Sequence, residues 1–430
     1  MFNSVRKYTL TLAIIIGVTP FLSQLSNAAP LSADEKQIIQ YIDNHSTDAV
    51  DLIRDSVNIN SPTENIEGVK KSGAFFKTQF DQLGFTSQWI PMPESVKRAG
   101  HLFAERKGTQ GKRLLLIGHL DTVLPGGNFV QKGDRGYGAG SSDMKGGDVI
   151  LIMALRALNS IGALNNTQLI AAFTGDEESA GHPIEISRHD LIEAAKRSDA
   201  TLAFENSVRD TVTTARRGSS SWSLKVTGVQ AHSSIIFSEA AGDGAIYETA
   251  RILNEFRVEL RKEKGLTFNP SVIVGGTDVT LNGSTGTASG KGNVVARSTL
   301  VHGDLRFSNP EQLQRARKTM KAIVARHLRR TDATITFEDS YPAMIENQGS
   351  LDLLSKVNEV SMDLGQGKVT ASDPNERGAG DVSFVAPIIP SIDGLGARGM
   401  GAHSPGEFVD EKSLNDLVKR TAILIYRLTR

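Results

Sequence analysis

Among the side chains that can hold metal ions or move protons in hydrolytic chemistry, seven stand out by their setting in the sequence: His119, Asp121, Asp143, Glu177, Glu178, Glu205 and His403. His119 and Asp121 follow the apolar run Leu114-Leu115-Leu116-Ile117. Two residues apart in extended backbone, they point to the same side. That suits an imidazole ligand whose orientation and tautomer a neighbouring carboxylate fixes. Asp176-Glu177-Glu178 puts adjacent carboxylates at the end of another apolar run. Like charges so placed repel and raise a pKa unless something positive sits with them. Two divalent ions relieve that cost, and paired carboxylates then divide the labour, one binding metal while the other moves protons. A lone acidic trio is more often a solvated turn, so the weight of this one depends on its company.

The elements behind these residues follow a common pattern. Residues 114–117, 168–173 and 201–204 are short apolar runs that read as buried strands. They deliver His119, Glu177-Glu178 and Glu205 at the same chemical end. In an open α/β sheet that end is where ligands bind. The glycine-rich stretch 133–140 leads into Ser141-Ser142-Asp143-Met144-Lys145-Gly146-Gly147, and Val149, Ile150, Met153, Ala154 and Leu158 follow at helical spacing. A helical pattern covers residues 32–57, a second helix 68–83, and strands 86–90 and 102–105 come next. Alternating strands and helices predict a largely parallel sheet. After Arg216-Arg217-Gly218 the pattern changes to a strand at 221–226, a helix at 246–260, strands at 271–274, 277–281 and 299–307, a helix at 310–328 and a strand at 334–337. That order is the ferredoxin-like, split βαβ pattern. The expectation is an α/β domain over 30–215 and 339–430 with a second α+β domain, 216–338, inserted in it. A helix at 351–362, a glycine-rich turn at 375–381, a strand at 387–391 and a closing helix at 412–428 complete the first domain.

Composition narrows the setting. The 430 residues carry 48 basic and 48 acidic side chains, with no long basic run, which speaks against a nucleic-acid or anionic-membrane partner. Arg6-Lys7, the apolar stretch 10–22 and Ser26-Asn27-Ala28-Ala29 form a secretory leader, residues 1–29, expected to be cleaved near Ala28-Ala29. Its apolar run, broken by Gly17 and Pro20, is too short for a stable membrane anchor. The chain is therefore expected in the periplasm or outside the cell. It has no cysteine, so disulfides and thiolate ligands are excluded, and any metal site is built from His, Asp and Glu.

Taken together, Gly118-His119-Leu120-Asp121-Thr122-Val123, the run ending Ser141-Ser142-Asp143-Met144-Lys145-Gly146-Gly147, Thr174-Gly175-Asp176-Glu177-Glu178, Glu205 and Gly401-Ala402-His403-Ser404-Pro405 resemble the dizinc exopeptidase and deacylase family of glutamate carboxypeptidase, acetylornithine deacetylase and succinyl-diaminopimelate desuccinylase. The resemblance runs from about residue 35 to the C-terminus and is closest in character to glutamate carboxypeptidase. It implies two zinc ions per subunit, or other divalent ions, bridged by Asp143. His119 and Glu205 would complete one site, and Glu178 and His403 the other. Asp121 would orient His119, and Glu177 would be the general base. In the inserted lid or dimerisation domain, His232 of Val229-Gln230-Ala231-His232-Ser233 would stabilise the tetrahedral oxyanion, commonly across a homodimer interface, a role suited to an imidazole donor. Asn293 and Arg306 look like the family's substrate-binding pair.

What the resemblance implies is a zinc hydrolase that cleaves the amide beside a free C-terminal carboxylate in small peptides or N-acyl amino acids. An aminopeptidase or dipeptidase of the same family is the alternative among enzymes, and a catalytically silent binding protein is the alternative among other classes. A binding role needs no Glu177 beside Glu178. The residues flanking Gly378-Ala379-Gly380-Asp381 differ from those of the biosynthetic deacylases, and export argues against a cytosolic biosynthetic step.

Overall fold

The computed structural model describes residues 30–430, so the leader expected over 1–29 lies outside the described residues. Six strands form the central sheet in the spatial order Thr86–Pro91, Gly100–Arg106, Thr167–Thr174, Gln110–His119, Ala200–Ala203 and Ser391–Ile392. Gly100–Arg106 runs antiparallel to both its neighbours, and the other pairings are parallel. In Gln110–His119, alternate side chains enter two different cores. Leu114 and Leu116 pack with the helices Ile66–Gln82, Lys145–Ser160 and Leu414–Leu428. Leu115 and Ile117 pack with His189–Lys196 and Val382–Val385 on the other face. Burial on both faces is why this strand reads as a continuous apolar run rather than an alternating one.

The inserted unit has a four-stranded antiparallel sheet, in the order Thr267–Gly276, Ser298–Phe307, Gly218–Gly228 and Thr331–Asp339. Its helices are Ala245–Leu260 and Pro310–Val324. Every second residue of Ser298–Phe307 is buried, so this sheet has one solvated face, and Trp222, Phe256, Leu305 and Met320 share its core. The fold is thus a mostly parallel α/β sheet carrying an inserted ferredoxin-like unit. Among the described residues no helix is long and apolar enough to cross a membrane.

Two local expectations are corrected. The helix expected over 32–57 is two helices, Ala33–Asn44 and Asp48–Val57. His45 folds back on the first: its amide donates to the Ile42 carbonyl oxygen and its ring bonds the Tyr41 carbonyl oxygen at 2.7 Å, using acceptors that a continuing turn would need. The strand expected at 277–281 is one arm of a hairpin, Asp278–Asn282 with Thr285–Ser289. Its second arm, rich in Thr, Gly and Ser, reads as loop because no apolar periodicity marks it.

Candidate metal centre

Parallel pairing brings the acidic strand ends level. His119 is in register with Thr174, and Ile117 with Ala203, so the chain leaves the sheet toward Glu177-Glu178 and Glu205 at one edge. Asp143 arrives just ahead of the helix Lys145–Ser160. Its backbone is held by Glu407, whose carboxylate accepts the amides of Gly140, Ser142 and Asp143 at 2.9 Å each. The loop between Gly399–Met400 and Phe408–Asp410 brings in His403.

Two constellations result, and they share Asp143. His119 Nε2 lies 3.4 Å from Asp143 Oδ1 and 3.7 Å from Glu205 Oε1. His403 Nε2 lies 3.3 Å from Asp143 Oδ2 and 2.9 Å from Glu178 Oε2. In each trio the candidate ligand atoms lie within 4.8 Å of one another. Glu177 Oε2 is 3.9 Å from His119 Nε2, and His119, Glu177 and Glu178 make a third trio within the same 4.8 Å. Five residues on five separate chain segments thus offer only imidazole nitrogen and carboxylate oxygen.

The electrostatics favour positive charge here. Burial, then Asp143, pushes the Glu205 carboxyl up to about 8. Burial raises Glu178 to about 7, against the opposing hydrogen bond from His403. Burial and the charge of Glu205 push Glu177 well above the carboxylate range. Hydrogen bonds to Asp143 and Glu178 lift His403 to about 10. His119 Nε2 is buried with no hydrogen-bond partner, a costly state for a polar atom that faces three carboxylates. An orphaned imidazole nitrogen among carboxylates of raised pKa fits a pair of divalent cations.

Asp121 departs from its expected role in detail. His119 Nδ1 is 3.0 Å from the Asp121 main-chain oxygen and 3.5 Å from the carboxylate, so the closer contact that orients the ring is with backbone. The carboxylate instead accepts the Glu177 and Glu178 amides at 3.1 Å each, and the Thr63 hydroxyl at 2.7 Å. Its burden is the glutamate loop.

Two adjoining cavities meet at the centre. One, of about 210 Å³, is lined by Asp143, Glu205, Arg216 and Arg377, and the other, of about 440 Å³, by His182, Arg306 and Tyr341; Glu177, Glu178 and His403 line both. Arg306 is therefore brought to the site, paired with Asp304 at 3.0 Å. His232 and Asn293 are neighbours, the Ser233 amide donating to the Asn293 carbonyl oxygen, but they line neither cavity. The histidines at 45, 101, 182, 189, 302 and 327 match no motif. Of these, His101 is buried and bonded to Ser187 and Gly175, while His182 lines the larger cavity. Sequence reading missed Arg216 and Arg377. Arg216 binds Asp393 at 2.6 Å and the Gly378 carbonyl oxygen at 2.8 Å; its partners lie more than 160 positions away, and no local pattern announces them. A cavity of about 430 Å³ between Leu353, Val360 and Leu424 lies beside Lys112, at the opposite end of the strand from His119.

Comparison with known proteins places the chain. Carboxypeptidase G2 from Pseudomonas sp. (strain RS-16) is 26% identical over 389 residues, covering 86% of this chain and 87% of that protein. Succinyl-diaminopimelate desuccinylase from Cupriavidus pinatubonensis is 26% identical over 390 residues, covering 85% of this chain and 95% of the relative. A tripeptidase from Staphylococcus aureus matches in fold with a TM-score of 0.71 at 20% identity, over 90% of this chain and 99% of that one. A Bacillus subtilis protein described as a dinuclear metal-binding peptidase of the M20 family matches with a TM-score of 0.64 at 16% identity, over 90% and 99% of the two chains. The family resemblance drawn from the motifs is borne out. Residues 115–427 match the model of peptidase family M20/M25/M40, and the chain belongs to that family.

Proposed function

We propose that this M20 enzyme is an exported dizinc hydrolase that cleaves the amide next to a free C-terminal carboxylate, in small peptides or N-acyl amino acids. One observation carries the choice of substrate end: Arg306 lines the same cavity as Glu177, Glu178 and His403. A guanidinium is a permanently charged, forked donor matched to carboxylate. The similarity to carboxypeptidase G2 supports the same reading, and the leader composition supports export.

His119, Asp143 and Glu205 would hold one zinc ion, and Asp143, Glu178 and His403 the other. Bound there, the pair would supply Lewis acidity, making a water acidic and polarising the scissile carbonyl. Glu177, raised in pKa by burial and its acidic neighbours, takes the proton from the attacking water and returns it to the departing amine. Asp121 keeps the peptide of Glu177 in place during this transfer. Arg306 fixes the substrate carboxylate. His232, with an imidazole free of the described cavities, serves the oxyanion of a second copy. Exposed Ile235, Phe237, Ile246 and Tyr247 on the inserted unit support such a homodimer, since apolar patches of that kind mark association surfaces.

A panel of matched peptides tests the reading. Amidation of the substrate C-terminus should abolish cleavage, while N-acylation should not. Efficient release of an N-terminal residue from an amidated peptide would overturn it in favour of an aminopeptidase.

A further inference from the structure

Two chain crossings, 216–219 and 340–344, carry the inserted unit, and they run side by side. Arg216 and Met344 exchange both backbone hydrogen bonds at 3.0 Å, and the Ser219 amide donates to the Tyr341 carbonyl oxygen at 2.8 Å. From this ladder the Tyr341 side chain turns inward. Its hydroxyl donates to the Glu177 carbonyl oxygen at 2.5 Å and accepts from Arg188 Nη2 at 2.8 Å.

Arg188 is fully buried and commits its remaining donors to the same corner. Nε binds Asp381 Oδ1 at 2.7 Å, Nη1 binds Asp176 Oδ1 at 2.6 Å, and Nη2 also reaches the Asp176 carbonyl oxygen at 3.1 Å. Asp381 in turn accepts the Thr174 hydroxyl at 2.5 Å. A buried guanidinium met by two carboxylates and further acceptors offsets its desolvation and leaves little freedom to move. It is a fixed post that aims the phenol.

The consequence falls on one peptide plane. The Glu177 carbonyl and the Glu178 amide belong to the same peptide unit. Tyr341 holds its oxygen, and Asp121 Oδ2 accepts its N–H at 3.1 Å. A group that transfers protons needs placement within hydrogen-bond reach, and a misplacement of about 1 Å can cost 10²-fold in rate. We infer that Tyr341 is a positioning residue, through which the crossing that carries the inserted unit sets the Glu177–Glu178 peptide, with Arg188 holding the phenol in line. The inference rests on Glu177 as the general base. It adds a direct connection from the crossing of the inserted unit to the peptide that carries the base.

Tyr341→Phe removes one oxygen and keeps the ring. The expected result is a kcat lowered about 10- to 100-fold, with KM within about twofold and metal content unchanged. Hydrogen–deuterium exchange on the metal-free protein provides an activity-independent arm. The Glu178 amide should exchange at least about tenfold faster in the variant, while amides of the strand Gln110–His119 keep their protection. Unchanged kcat, a change in KM alone, unchanged exchange at Glu178, or faster exchange throughout the central sheet would each overturn the inference. If the wild-type protein hydrolyses nothing, the base assignment fails, and the exchange arm still decides whether Tyr341 holds that peptide.

Discussion

Glu177 sits where charge is hard to keep: largely shielded from solvent, 3.9 Å from the imidazole of His119, with Glu178 next to it in the chain. Its backbone is pinned from both sides, so the carboxyl has a defined place before any substrate arrives. Glu177→Gln keeps the size and removes the basicity. Metal content should stay at the wild-type level while kcat falls by about 10²–10⁴-fold; turnover close to wild type, measured on a peptide with a free C-terminus, would remove the general-base assignment. In the proposed reaction Arg306 binds the other end of the substrate. It is partly exposed and already paired with Asp304, so its loss should cost less than that of a deeply buried charge. Arg306→Ala should lower kcat/KM by roughly 1.5–3 kcal/mol, the scale of a hydrogen bond to a charged group.

At the scale of elements, the site depends on close approach between the helix Lys145–Ser160 and the chain leaving Ala200–Ala203. A Cβ on Gly147 would lie 1.9 Å from the Phe204 carbonyl oxygen, which is backbone and cannot swing aside. Gly147→Ala should therefore push helix and strand apart, destabilise the fold by about 1–3 kcal/mol and weaken metal binding through Glu205, one residue beyond the clash. A denaturant melt and a zinc titration check both effects, and a variant with wild-type values in each would show that the contact can relax. This element was legible in the sequence as paired glycines ahead of a helical apolar spacing. The strand ends carrying His119, Glu178 and Glu205 were legible for the same reason: doubly buried strands leave unbroken apolar runs that stop where the chemistry begins. Tyr341, Arg188, Arg216 and Glu407 were not. Each has a partner more than 150 positions away, and a side chain pointing into a loop from a chain crossing has no periodicity to betray it. The break at His45 was hidden too, because helical spacing resumes in register with the same core after it.

Across the whole molecule, two structural units are joined by two crossings, and the acid cluster lies at the edge of the first unit's central sheet. Without metal that cluster makes stability depend on pH in one direction. Glu178, near 7, and Glu205, near 8, keep protons that unfolded glutamates release near 4.5, and His403, near 10, keeps one that unfolded histidine releases near 6.5. In each case the folded chain binds more protons, so stability falls as pH rises, from about 4.5 through 8 for the glutamates and from about 6.5 through 10 for the histidine. The chelated protein should show a melting temperature that declines between about pH 5.5 and 9, while the metal-loaded protein resists the decline because ligand bound to the folded state stabilises it. A chelated protein whose melting temperature rises over that range would contradict the charge arrangement.

The central claim is a two-metal centre in which Asp143 serves both ions. The direct measurement is metal content per chain by plasma emission, on protein loaded with zinc and freed of excess, for the wild type, His119→Ala, His403→Ala and Asp143→Ala. The account predicts about two equivalents in the wild type, about one in each histidine variant and close to none in Asp143→Ala, since bound ions are lost with the ligands that hold them. A wild type that holds one equivalent, or an Asp143→Ala variant that still holds two, would contradict it.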